Sequence, residues 1–71
     1  MAYSEGDYVS WEWGDDRAYG TIQKRYTQKT TKTIKGNEVT RNGSDDDAAI
    51  LIEQSDGDEV LKLESEVRKE R

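Results

Sequence analysis

Three clusters of turn-forming residues, Gly14-Asp15-Asp16-Arg17, Gly36-Asn37 and Asp56-Gly57, punctuate the chain and leave only short runs between them. Glycine and aspartate or asparagine in such clusters join antiparallel strands. Between the turns, large apolar residues alternate with polar ones, as in Tyr8-Val9-Ser10-Trp11-Glu12-Trp13. That period of two fits a half-buried strand and does not fit a helix. The chain therefore reads as three consecutive hairpins with a brief closing segment. The expected fold is all-β, a small, partly open SH3-like barrel of five or six short antiparallel strands, because wrapping a short sheet on itself reduces exposed edges.

Pairing rules then suggest registers. A four-residue loop over Gly14 to Arg17 sets Trp13 opposite Ala18, Trp11 opposite Gly20, Val9 opposite Ile22 and Asp7 opposite Lys24. Val9, Trp11 and Trp13 then share one face, and Tyr8, Ser10 and Glu12 share the other with Gln23, Thr21 and Tyr19. In the second hairpin, a Gly36-Asn37 turn opposes Lys35 with Glu38, Ile34 with Val39 and Thr33 with Thr40. With one apolar pair, that ribbon is marginal alone and either lies against the barrel or stays mobile. In the third, Asp56-Gly57 pairs Ile52 with Leu61 and Ile50 with Leu63 on the core face. Leu51 with Lys62, and Glu53 with Val60, then face outward. Ser65-Glu66-Val67 makes a single turn into a last short strand, with Val67 plugging the barrel end.

The expected core is Val9, Trp11, Ile22, Ile50, Ile52, Leu61, Leu63 and Val67, with Trp13 at its rim. Residues 1–5 read as a flexible lead-in, 6–67 as a single domain and 68–71 as a solvated tail. Only 31% of residues are apolar and 38% are charged, against about 45–50% apolar in ordinary domains. A chain of this length buries only about 60% of the surface it exposes when unfolded, so the core must be economical. The apolar residues nevertheless fall in strand-like groups that no proline interrupts.

The net charge of -5 conceals a segmental layout. Residues 24–41 carry six bases and one acid, whereas 42–66 carry nine acids and one base. Pairing of these two segments with each other is expected ahead of contact with a polyanion.

What is missing narrows the chemistry. Without cysteine there is no disulfide or thiolate metal site, and without histidine the commonest general base and zinc ligand is gone. The serines and threonines have no histidine to activate them, and there is no glycine-rich phosphate loop, so the reading is non-enzymatic. Asp45-Asp46-Asp47 and the Asp56, Asp58 pair cannot share an ion across an extended strand of about 30 Å, and each reads as a solvated turn. No metal and no cofactor is expected. Asn42-Gly43-Ser44 reads as turn chemistry rather than a glycosylation site. The longest apolar run, Ala48 to Ile52, is far short of a membrane span, and the N-terminus lacks a signal peptide's basic and apolar regions. A cytoplasmic protein without membrane contact is the expectation.

An ordered set of fragments carries a resemblance: Gly6-Asp7-Tyr8-Val9-Ser10-Trp11, Gly20-Thr21-Ile22, Ile34-Lys35-Gly36, Thr40-Arg41-Asn42, Ser44-Asp45-Asp46, Leu51-Ile52-Glu53, Asp56-Gly57 and Val60-Leu61-Lys62. Together they resemble the hypervirulence-associated Tudor-like domain family, a group of small bacterial and fungal domains, from Glu5 to Arg68. The resemblance implies a Tudor-like barrel and no settled activity. Two positions depart from the family pattern: Ala48 stands where proline is expected, and Val67 where leucine is more usual.

Two recognition surfaces follow. A cage for a methylated cation needs two to four rings, often with a carboxylate. Trp11, Glu12, Trp13 and Tyr19 supply those types around the first turn, although the register sets Tyr19 on the face opposite the tryptophans. Trp11 then belongs to the core, and a peptide or protein ligand would meet Trp13 with Glu12 and Tyr19. The alternative is nucleic-acid contact through the basic arm 24–41, with Lys24, Arg25, Lys29, Lys32, Lys35 and Arg41 beside Tyr26. A pI near 4.6 and the acids downstream oppose a phosphate backbone. The expected state is a monomer, with self-association through Leu51, Val60 and unpaired sheet edges as the blander alternative.

Overall fold

The computed structural model describes residues 3–70; Met1, Ala2 and Arg71, from the expected lead-in and tail, lie outside the described residues. Seven strands follow one another: β1 (Tyr8–Trp13), β2 (Asp16–Tyr26), β3 (Lys29–Ile34), β4 (Asn37–Asn42), β5 (Ala49–Glu53), β6 (Glu59–Leu63) and, after a single 3-10 turn at Glu64–Glu66, β7 (Arg68–Lys69). Five of them form one sheet in the order β6-β5-β2-β1-β7, while β3 and β4 form a separate ribbon. All pairings are antiparallel and the sheet does not close on itself, which agrees with the all-β, partly open architecture expected from the hairpins.

The faces follow the alternation, but each hairpin register differs from expectation, because each turn is built differently. Gly14 is left-handed at φ 58° and starts a two-residue turn with Asp15. Trp11 therefore faces Ala18, Val9 faces Gly20 and Trp13 faces Asp16, a shift of two that keeps every side chain on its expected face. In the ribbon the turn is Lys35-Gly36, both left-handed, so Ile34 pairs with Asn37, Lys32 with Val39 and Thr31 with Thr40. The third hairpin closes through three residues, with Gly57 left-handed and the Gln54 N–H donating to the Asp58 carbonyl at 2.7 Å. Its register slips by one: Ile52 faces Val60, Ile50 faces Lys62, and Leu61 faces Leu51 on the opposite side. Leu61 is buried there all the same.

The core lies on one face of the sheet and gathers Val9, Trp11, Ile22, Ile50 and Ile52, with Ala18, Val60 and Val67 packed against it. Leu63, expected in the core, is half-buried. Tyr3, from the expected lead-in, joins the core and donates its hydroxyl to the Val67 carbonyl at 3.4 Å. The chain end does more than trail in solvent. Arg68 and Lys69 are exposed but pair with Ser10 and Val9, and the Glu70 N–H donates to the Tyr8 carbonyl at 2.8 Å. Ser10, fully buried, donates its hydroxyl to Glu70 and accepts from Arg17 Nε at 2.8 Å. That hydrogen bond, against the pull of burial and with Arg68 and Arg17 adding, holds the Glu70 carboxyl below its ordinary value.

β2 belongs to both ends of the sheet because a bulge at Gln23 bends it between Ile22 and Lys24. Close backbone approaches fix the two halves. A Cβ at Gly20 would lie 2.5 Å from Ile52 Cγ2 and 2.8 Å from the Glu53 carbonyl oxygen. One at Gly43 would lie 2.6 Å from the Tyr26 carbonyl oxygen, 2.8 Å from the Gln28 carbonyl oxygen and 2.8 Å from the Ala49 nitrogen. The ribbon leaves the sheet and rejoins it at this pinch.

Charge pairing between the basic and acidic segments is realised. Arg25 Nε meets Glu64 Oε2 at 2.7 Å, Lys35 Nζ meets Asp58 Oδ2 at 2.8 Å and Arg41 Nε meets Glu66 Oε1 at 3.1 Å. Glu64 is only 5% exposed and also accepts the Ala48 N–H at 3.3 Å. Proline at position 48 would remove that donor. Burial works to raise the Glu66 carboxyl, but the Leu63 N–H and Arg41 outweigh it and hold it below its ordinary value.

Candidate recognition groove

The two tryptophans of β1 point to the same side and meet different fates. Trp11 is 3% exposed and sits in the core, while Trp13, two residues further along the same face, is 71% exposed. Trp13 is the last residue of β1. Opposite Trp13 stands Asp16, which offers no apolar cover, and an opening lies between Trp13 and β6.

That opening is a groove of about 330 Å³. Trp11, Trp13 and Ala18 line it from the first hairpin, and Val60 and Lys62 from β6. Ile34 and Lys35 reach it from the tip of the ribbon, and Asp56 and Asp58 bring acid from the turn before β6, with Glu59 at the start of β6. Its chemistry is therefore an apolar, aromatic floor with an excess of carboxylates, suited to a side chain with an apolar stem.

Of the four aromatic-turn residues expected at a ligand site, Trp11 and Trp13 line this groove. Tyr19 does not join them: it is 44% exposed on the other face, stacked on Tyr8 with ring centroids 5.9 Å apart and planes 14° from parallel. Glu12 lies opposite Arg17 on that same outer face. The three rings do not converge on one notch. Lys35, Asp58, Val60 and Ile34 were not expected here, and the usable signal was the ribbon's length, which carries its tip to the β5–β6 turn.

The basic arm is largely engaged within the molecule. Arg25, Lys35 and Arg41 hold carboxylates, and Lys32 Nζ lies 4.9 Å from the centroid of the Tyr26 ring. Lys24 and Lys29 remain on the exposed surface. Among the described residues, no group of three or more acids is placed to hold a metal ion, and no helix is long and apolar enough to cross a membrane.

No curated protein and no solved structure matches the chain. A family model does match, that of the hypervirulence associated proteins TUDOR domain, over residues 6–67, from the glycine before β1 to the valine that packs against the core. With nearly its whole length covered and a fold of the same kind, the chain belongs to the hypervirulence-associated Tudor domain family.

Proposed function

We propose that this chain is a small, monomeric, non-enzymatic interaction module of the cytoplasm that docks a segment of a protein or peptide in the Trp13 groove. Tudor-like domains are generally binding modules rather than enzymes, and the chain's family membership supports that class. The observation that carries the reading is the contrast between Trp11 and Trp13. An indole 71% exposed beside a pocket whose floor is another indole is poorly used by the fold itself. Aromatic anchors of this kind dominate binding energy where a partner desolvates them. The basic arm gives nucleic acid less support, since four of its six cations are already engaged.

The test follows indole fluorescence while methylated and unmodified peptides are titrated. Trp13 emission should shift and quench for a binding peptide, and Trp13→Ala should abolish the response while the fold, reported by buried Trp11, is kept. Absence of any change across the peptides removes the proposal.

A further inference from the structure

The tip of the ribbon places a charge in the groove that its turn does not require. Two-residue turns with both residues left-handed are formed with least strain by asparagine or glycine, because a Cβ crowds the backbone in that region. Position 35 is nonetheless lysine, at φ 52°, and it is the one non-glycine residue with positive φ among the described residues. An unfavourable backbone at a site of this kind points to a role for the side chain. That side chain reaches out of the ribbon to Asp58, Nζ to Oδ2 2.8 Å, beside the groove that Trp13 lines. The hydrogen bond to Asp58 and its charge, with Asp56 adding, raise the Lys35 pKa.

The pair is built to exchange. Its side chains are 66% and 39% exposed, and ion pairs this open are weak and screened by salt. If Lys35 withdraws, Asp56, Asp58 and Glu59 face Lys62 alone in the groove, and a neutral or acidic occupant would leave Asp58 without a counter-charge. An incoming cation would meet Asp58 in a groove that Trp13 also lines.

Resting on the docking reading of the groove, we propose that Lys35 is the resident, displaceable occupant of a cation subsite on Asp58. The groove's partner is an extended segment carrying its own lysine or arginine, which takes Asp58 when the ribbon tip releases it. Lys35 thereby competes with every cationic segment for Asp58 and weakens its binding.

Two end-blocked, alanine-based pentapeptides test this, one with a central lysine and one with a central glutamine, each titrated while the Trp13 indole N–H is followed by NMR. Lys35→Asn removes the ammonium and relaxes the turn, so the fold is kept; Lys35→Arg keeps the cation. The lysine peptide should perturb Trp13 with an affinity that falls as salt rises. It should bind Lys35→Asn about two- to fivefold more tightly than the unaltered protein, the span an exposed ion pair covers. Lys35→Arg should behave like the unaltered protein, and Asp58→Asn should lose the preference for lysine over glutamine. Equal affinity of Lys35→Asn and the unaltered protein for the lysine peptide, or equal binding of both peptides to Lys35→Asn, overturns the resident-cation proposal and leaves the groove as a docking site. Silence of Trp13 towards both peptides in every variant overturns the docking reading as well.

Discussion

The five-stranded sheet and the ribbon are both antiparallel β structure, yet different forces hold them. In the sheet, Val9, Trp11, Ile22, Ile50, Ile52 and Leu61 are essentially removed from water. In the ribbon only Thr30 is buried, and the strands alternate between exposed and half-buried residues. The ribbon's position depends on Lys35 with Asp58, Arg41 with Glu66, and Lys32 over Tyr26. Apolar burial is insensitive to pH and modest salt, whereas exposed ion pairs respond to both. The frame of this domain and its appendage should therefore fail under different conditions.

The largest expected effect lies in the sheet. Trp11→Ala should cost about 3–5 kcal/mol, a large part of the stability of a domain this size, and urea unfolding should show a much earlier midpoint. A small shift would mean that the core is looser than the burial of Trp11 implies.

Next comes the junction, where the two kinds of force meet. Arg25→Met leaves Glu64, 5% exposed, without its partner. A cost of about 2–4 kcal/mol is expected, somewhat less than for a fully buried pair because Arg25 itself is 31% exposed. Thermal unfolding measures it, and recovery when Glu64→Gln is added to Arg25→Met would confirm that an unpaired carboxylate is the cause.

The ribbon should respond to milder treatment. Glu66, which holds Arg41 of the ribbon, titrates below its ordinary value of 4.5 when folded, and so does Glu70, which holds the chain end to β1. Their contributions are complete above that ordinary value and are lost as pH falls through the lowered folded values. Lys35 is the reverse case: its raised folded value means that its contribution is present below 10.5 and fades as pH rises through the folded value. Hydrogen exchange should accordingly show Lys32 and Ile34, whose amides pair across the ribbon, losing protection in strong salt while Ile22 and Ile52 keep theirs. Equal loss in both regions would erase the distinction.

The smallest effect sharpens it most. Trp13→Ala should change stability by no more than about 0.5 kcal/mol, although it removes the same side chain as Trp11→Ala two residues away. A cost comparable to that of Trp11 would show that Trp13 is structural and would leave the groove without a spare anchor.

In β6 the one-residue slip set Val60 against the core where Leu61 and Leu63 were expected, but in β1 the faces were legible because alternation is a physical requirement of a half-buried strand. Val9 and Trp11 inside and Trp13 at the rim followed from it. So did the pairing of the basic segment with the acidic one, since opposite charges in adjoining hairpins need only proximity. Registers were not legible. Each depends on which residue of a turn goes left-handed, and Lys35 is a residue that propensity would not choose. The groove was half visible for the same reason: Trp13 announced itself, but Lys35 and Asp58 meet only after two turns have been set. A last short strand was legible, but its pairing with β1 and the burial of Tyr3 were not, because both act over more than fifty residues of separation, which no local pattern records.

The pinch at Gly43 bears on how such a domain could be re-equipped. The ribbon departs and returns where three stretches of backbone nearly touch, so backbone contact fixes its stem, whereas its tip meets the sheet only through side chains such as Lys35. Adding or deleting two residues from each ribbon strand would move the tip by about 7 Å, keep its side chains on the same faces and leave every core contact in place. The ribbon is in this sense an interchangeable cartridge: a different length or a different tip residue would give the same scaffold a new selectivity without asking it to fold differently.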